Sequence, residues 1–253
     1  MACVEDELKV HAQNYSRLAS LYKPDKLLLL SIARRGGVAR HSDLLDTVGG
    51  KRSLGSTLTN RLYRLRDLCY INYGGGVASL KSKTPLCYVV GADVKYVYVG
   101  LLGRKLRLDI DEPEPVTAVN MLEAQGFRLE RIVIATTKEA YSDWAFDIQR
   151  YRRYAIIDWK LVSVEQMNDI ETMVNIMEPK VYELCREYVP IIDCTSGTRP
   201  AGIAFSEIAD QLMAPLIYVY TNKELENYND PVRIYWLKDV KKITEQLKIA
   251  DLV

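Results

Sequence analysis

Apolar positions recur at helical spacing in the first third of the chain and gather into short unbroken runs beyond it. Residues 4–21 place Leu8, His11, Ala12, Tyr15, Leu18 and Ala19 on one helical face. A second helix is predicted from Pro24, with Asp25 as its N-cap and Leu27, Leu28, Leu29, Leu30, Ile32 and Ala33 as its core. Gly36 and Gly37 stop it. A short third helix has Ser42 as N-cap, Leu44, Leu45 and Val48 facing inward, and Gly49 and Gly50 at its end. Residues 53–68 carry Leu54, Leu58, Leu62, Leu65 and Leu68 at intervals of four, four, three and three, the stripe of a fourth helix. Residues 70–73 read as a strand, 74–84 as a glycine-rich turn and 86–90 as a second strand. That order of elements, from about residue 24 to 90, is the winged helix-turn-helix arrangement.

From residue 94 the texture changes. Strands are predicted over 94–102, 131–135, 155–162, 190–193, 216–220 and 232–237, with a further short strand over 106–110 inside an acidic loop. Helices are predicted over 116–125, 138–153 (Tyr141, Trp144, Ala145 and Ile148 inward), 165–188 with a break near Pro179, 201–213, and from 240 onward. Strands that are apolar throughout and alternate with helices indicate a mostly parallel sheet covered on both faces, a Rossmann-like α/β domain. The division expected is an N-terminal helix over 1–22, a winged helix-turn-helix domain over 23–92, and a Rossmann-like ligand-sensing domain over 93–253.

Composition narrows the class. Of 253 residues, 48% are hydrophobic and 26% charged, so a sizeable core is available in an ordinary globular protein. No apolar run approaches the roughly 18 residues of a membrane span, and acidic residues stand where a signal peptide would be basic. The five cysteines are odd in number and show no CxxC spacing, so neither a disulfide framework nor a zinc site is expected and a cytoplasmic home is. Only His11 and His41 offer imidazoles; no metal or cofactor is expected.

The formal net charge of +1 hides a division. Residues 21–90 hold twelve Lys/Arg against four Asp/Glu, a net of +8, whereas residues 91–253 hold twenty against twenty-six. A compact basic segment in a near-neutral chain suits a polyanion, and equally a basic surface without a partner. On the DNA reading, the fourth helix enters the major groove. Ser56, Thr57, Asn60 and Arg61 lie on its polar faces, with Ser56, Asn60 and Arg61 within reach of base edges. Arg52, Arg64, Lys81 and Lys83 meet phosphates. The segment LTNRLYRLRDLCYI resembles the end of a recognition helix running into the first wing strand of many archaeal and bacterial regulators. Winged helices also bind proteins or join domains, which leaves an adaptor open.

Ligands of parallel α/β sheets bind at the C-terminal ends of strands. Three such ends stand out: residues 101–104, Thr136 with Thr137, and 193–199. The last places Thr195, Ser196, Gly197, Thr198 and Arg199 between a buried strand and a helix N-terminus. Backbone N–H groups, hydroxyls and a cation there suit an anionic or phosphate-bearing ligand, or simply a strand–helix turn. Asp193 is expected to accept backbone N–H bonds in that turn rather than bind metal.

The segment DCTSGTR at 193–199, followed by an alanine-rich helix and the strand LIYVY, resembles the second motif of CARF domains, CRISPR-associated Rossmann-fold sensors of cyclic oligoadenylates. RIVIATT looks like their second strand and its loop, and VYVGLLG like their first. The resemblance spans about residues 94–222. Ser196 replaces the first Gly of the family's usual pair, and Arg199 stands where many members have Lys. In the family members most like this arrangement the winged helix follows the sensor; here it precedes it.

The resemblance implies a homodimer in which two copies of the 193–199 turn face one two-fold-symmetric ligand, with cyclic tetra-adenylate matching that symmetry. Arg199 and the 196–198 backbone would hold phosphates; Leu102, Gly103, Arg104, Thr136 and Thr137 would line the adenosine pocket. The function implied is a ligand-responsive regulator binding double-stranded DNA. The alternatives are a metal-independent ring nuclease acting through Arg199 and Ser196, and a winged-helix adaptor for a protein.

Overall fold

The computed structural model describes residues 2–48, 55–105, 112–149, 156–221 and 232–252. The chain divides into two compact units, and the division does not follow its linear order. The first unit gathers Met1–Val94, Tyr182–Val189 and Val240–Val253; the second gathers Lys95–Val181 and Pro190–Asp239. The single domain expected over 93–253 therefore cedes two stretches to the first unit. The reason lies in packing. Helix α11 (Val240–Leu247) buries Ile243 and Leu247 and packs on α5 (Leu86–Val89), a partner far away in sequence.

The first unit opens with α1 (Ala2–Arg17), a short 3-10 turn (Leu18–Ser20), and α2 (Lys23–Arg34). Strand β1 (Val38–Arg40), α3 (His41–Leu44), a second 3-10 turn (Asp46–Val48) and α4 (Gly55–Asp67) follow. The hairpin is β2 (Ile71–Gly74) and β3 (Val77–Leu80). These three strands form an antiparallel sheet in the order β1-β3-β2. Leu58, Leu62 and Leu65 of α4 are buried, as the stripe predicts, but Leu68 is exposed and Leu54 lies outside the described residues.

Several local expectations change. The second hairpin strand is β3, not residues 86–90, of which Leu86–Val89 form helix α5 with every side chain buried. Gly75 and Gly76, at φ +57° and +74°, make a two-residue turn of the kind that matches strand twist, so the hairpin closes directly instead of wandering to Thr84. A four-residue apolar run does not separate helix from strand by periodicity, which is why 86–90 misleads. Strand β1 was not anticipated. Tyr22, not Asp25, is the N-cap of α2; Asp25 lies in its first turn with no exposed surface. Arg40, not Ser42, precedes α3, and its backbone N–H is bonded by Asp43.

The second unit is a six-stranded sheet in the order β6-β5-β4-β7-β8-β9. Its strands are β4 (Tyr96–Leu102), β5 (Leu129–Thr137), β6 (Ile156–Val162), β7 (Val189–Asp193), β8 (Leu216–Thr221) and β9 (Val232–Lys238). β5 pairs in parallel with β4 and β6, and β8 with β7; β9 runs antiparallel along β8. Counted within the unit this is the strand order of a Rossmann-type doubly wound sheet. Helices α6 (Glu114–Ala124), α7 (Lys138–Gln149), α8 (Val164–Met167), α9 (Ile170–Leu184) and α10 (Arg199–Gln211) complete the connections. One cluster of buried side chains, including Tyr98, Leu122, Ile132, Trp144, Ile191 and Ile217, ties the four central strands to α6 and α7.

The break expected near Pro179 falls instead between α8 and α9, and Pro179 sits inside α9. Asp169 restarts the helix by accepting the Thr172 N–H at 2.7 Å. Ser163 and Gln166 form a reciprocal capping box at the start of α8. The strand expected over 106–110 lies outside the described residues. Among the described residues no helix is long and apolar enough to cross a membrane.

Candidate functional site

Strand order reverses between β4 and β7: the chain leaves β4 toward β5 and returns from β6 to β7. In doubly wound sheets, ligands are held at the C-terminal ends of the two strands that flank such a reversal. A cleft of about 340 Å³ lies there, lined by Leu102, Gly103, Arg104, Thr137, Glu139, Ala140, Val164, Met167, Gly197 and Thr198.

The β7 loop is built from its polar side chains. Asp193 is buried, and its Oδ1 accepts the Thr195 backbone N–H at 2.8 Å, closing an Asx turn. The Thr195 hydroxyl also donates to Asp193 and accepts the Val219 N–H at 2.7 Å. Tyr98 donates from β4 to Asp193 Oδ2 at 2.7 Å. Burial pushes the Asp193 carboxyl above its ordinary range; bonds from Thr195 and Tyr98 pull it back in part, and Glu114 adds to the rise. Desolvation, and then Asp193 itself, drives the Tyr98 phenol well above its ordinary value, so it stays a donor.

Two glycines let the loops meet. Gly197 sits at φ +82°, and a Cβ there would stand 3.2 Å from Leu101 Cβ. A Cβ on Gly103 would come within 3.3 Å of the Gly197 nitrogen. Thr198 caps α10 by accepting the Ala201 N–H at 3.4 Å and donates to the Met167 carbonyl at 2.7 Å. That second bond ties α8 to the β7 loop.

The expected ligand residues divide into two groups. Leu102, Gly103, Arg104, Thr137, Gly197 and Thr198 come together in the cleft. Thr136 does not reach it: it is fully buried, and its hydroxyl donates to the Leu102 carbonyl at 3.0 Å, joining β5 to β4. Alternation along a strand sends neighbouring residues to opposite faces, so Thr136 and Thr137 do not share a role. Thr195 is spent inside the turn. Ser196 is 8% exposed and donates to Glu114 at 2.6 Å. It does not line the cleft, so the part offered to Ser196 in the ring-nuclease alternative draws no support from the geometry. Arg199 is exposed at the first turn of α10, beside the cleft rather than in it.

Arg104 is tethered. Its Nε donates to Asp143 at 2.5 Å, and Asp143 also accepts the Lys105 N–H. Trp144 fixes the same loop by donating to the Gly103 carbonyl at 3.0 Å. Glu139, Ala140, Val164 and Met167 were missed. Glu139, Ala140 and Val164 open the helices that follow the C-termini of β5 and β6, and Met167 closes the single turn of α8; that position after a strand was the available signal. The cleft thus joins an apolar wall, suited to a flat base, to a rim of polar and charged groups beside a helix N-terminus.

In the first unit, Thr57 and Asn60 are exposed on α4. Arg61 is not offered outward as a base-reading side chain. Its guanidinium bonds to buried Asp25 at 2.7 Å and lies 5.1 Å over the Tyr22 ring. Arg64 stands 3.6 Å from the same carboxylate, with its side chain 58% exposed. A carboxylate without water must be paired, and the two arginines next to it answer that need first. Arg52 and the Ser56 side chain lie outside the described residues. Lys81 and Lys83 are not in the hairpin turn; they follow β3 and line a separate cleft.

No family model matches the chain, and no curated protein does. Among solved structures, the chain is similar to Csm6 of Enterococcus italicus bound to cyclic hexa-2'-fluoro-hexa-dAMP, at 14% identity and a TM-score of 0.45, over 60% of this chain and 44% of that one. It is also similar to Can2 of Sulfobacillus thermosulfidooxidans in complex with cyclic tetra-adenylate, at 16% identity and a TM-score of 0.35, over 56% of this chain and 34% of that one. The chain spans less than half the length of either protein.

Proposed function

We propose that the second unit is a CARF-type sensor of a cyclic oligoadenylate, with cyclic tetra-adenylate favoured, and that the first unit is a winged helix whose affinity for double-stranded DNA answers to that ligand. One observation carries the reading. The loops after β4 and β7 meet, glycine against glycine, where the strand order reverses, and hold open a nucleotide-sized cleft. The DCTSGTR segment that resembles the CARF motif supplies one wall of it. Leu102, Ala140, Val164 and Met167 receive a base. Gly197, Thr198 and the α10 N-terminus receive phosphate, with Arg199 and Arg104 at the rim. Two copies of the chain pair around one ring.

The winged-helix assignment is supported by the succession α2, β1, α3, α4, β2, β3 and by the β1-β3-β2 pairing. α4 presents Thr57, Asn60 and the exposed part of Arg64 to the groove. A ligand that favours one dimer arrangement changes DNA affinity by the same factor by which DNA changes ligand affinity.

The test is calorimetric titration of the full chain with cyclic tetra-adenylate, followed by chromatography of the recovered ligand. One intact ring bound per dimer supports the sensor. Linear products replace the regulator by a ring nuclease, and absence of binding removes the CARF reading. Titration of a duplex at several salt concentrations tests the second half: affinity must fall steeply as salt rises.

A further inference from the structure

The first unit contains a cleft of its own, of about 330 Å³, lined by Gly37, Val38, Asn72, Ser79, Leu80, Lys81, Lys83, Tyr182 and Arg186. Its floor is the outward face of the three-stranded sheet. Val38, Ser79 and Asn72 stand side by side across β1, β3 and β2. Their neighbours Ala39, Ala78 and Ile71 are buried on the other face. Lys81 continues the outward row, two residues past Ser79. The Lys83 N–H donates to the Cys185 carbonyl at 2.7 Å, which fixes the segment carrying Tyr182 and Arg186 beside the end of β3. That segment belongs to the same unit.

The chemistry of the lining is one-sided. Two ammonium groups and a guanidinium line the cleft, and no carboxylate does. Ammonium and guanidinium groups on one small surface offer several charge-assisted donors to a single anion. The Asn72 amide and Ser79 hydroxyl add uncharged donors, the usual complement of a phosphate site. The volume is that of a small-ligand site rather than a flat basic surface.

We propose that this cleft binds the phosphoryl group of a phosphate ester, held by Lys81, Lys83 and Arg186 with Asn72 and Ser79. The group comes either from a free nucleotide or from the nucleic-acid backbone. The site rests on the first unit alone and stands whether or not the β4–β7 cleft takes a cyclic ligand or α4 reads DNA.

The test uses the full chain, adenosine monophosphate and a short DNA duplex as probes, and two variants: Lys81→Gln/Lys83→Gln in the cleft and Thr57→Ala/Asn60→Ala on α4. Loss of two charge-assisted contacts weakens the probe that uses the cleft by about tenfold or more. The α4 variant leaves nucleotide binding unchanged. Acetylation of Lys81 and Lys83, followed by mass spectrometry, must slow when the probe is bound. Nucleotide binding that depends on the lysines assigns a free ester; duplex binding that depends on them, without nucleotide binding, assigns the backbone. If the folded lysine variant binds both probes as the wild type does, or neither probe protects the lysines, the proposal is overturned.

Discussion

Replacing Arg61 by alanine removes the main partner of a carboxylate that has no exposed surface. Asp25 Oδ1 accepts from Arg61 at 2.7 Å, and Oδ2 has no hydrogen bond among the described residues, only Arg64 at 3.6 Å. Taking one partner from a buried pair costs about 3–5 kcal/mol, because the remaining charge stays buried. Arg64 is close enough to take over part of the role, so the loss expected for Arg61→Ala is about 3 kcal/mol, at the low end of that range. The reciprocal changes are milder. Arg64→Ala leaves the short bond intact and removes a 58% exposed partner, for less than about 1 kcal/mol. Asp25→Asn leaves Arg61 with 21% exposure and thus a route to water, for about 1–2 kcal/mol. Urea unfolding followed by circular dichroism gives the order Arg61→Ala, then Asp25→Asn, then Arg64→Ala. If Arg61→Ala lies within about 0.5 kcal/mol of the wild type, or Arg64→Ala costs more than it does, the account of Asp25 is wrong. The same series shows whether lost DNA binding in an Arg61 variant is a contact effect or a folding effect.

Tyr98→Phe leaves Asp193 Oδ2 buried without its donor and lowers stability by about 1–3 kcal/mol in the same assay; no change would mean that another donor holds that oxygen. Gly197→Ala forces a Cβ into a left-handed position against Leu101 and costs about 1–2 kcal/mol, with weaker binding of cyclic tetra-adenylate by calorimetry; unaltered binding would detach that loop from the site. For Asp193 the folded carboxyl is raised, chiefly by burial, so its stabilising contribution is full below the unfolded value and fades as pH rises through the folded one. The stability of the wild type relative to Asp193→Asn must therefore fall as pH climbs from about 4 toward neutrality; a rise over that interval would reverse the sign of the argument.

The parts legible in the sequence were those that depend on near neighbours along the chain. The leucine stripe of α4 and the apolar strands β4, β5 and β7 declare themselves through local spacing. So does the Asx turn, since Asp193 and Thr195 are two residues apart. The two caps read from the sequence, Asp25 and Ser42, gave way to Tyr22 and Arg40. The six-residue pattern at 193–198, ending a strand and opening a helix, was enough to mark one wall of the cleft. The errors arose where the same local pattern serves two structures. LCYV at 86–89 suits a buried strand as well as the buried helix it forms. The glycines at 74–76 suit a loose loop as well as the tight turn they make.

What only the tertiary structure decided was partnership between residues far apart. Arg61 looks like any exposed recognition-helix cation until Asp25, thirty-six positions earlier, is found buried beneath it. Ser196 looks like a free hydroxyl until Glu114 is found beside it, eighty-two positions away. Lys81 and Lys83 read as wing lysines until residues 182–186 fold back to make a cleft of them. Periodicity and turn chemistry act over a few residues, so a sequence carries them on its face. The pairing of buried charges is set by desolvation, which acts on whatever the packed chain brings together.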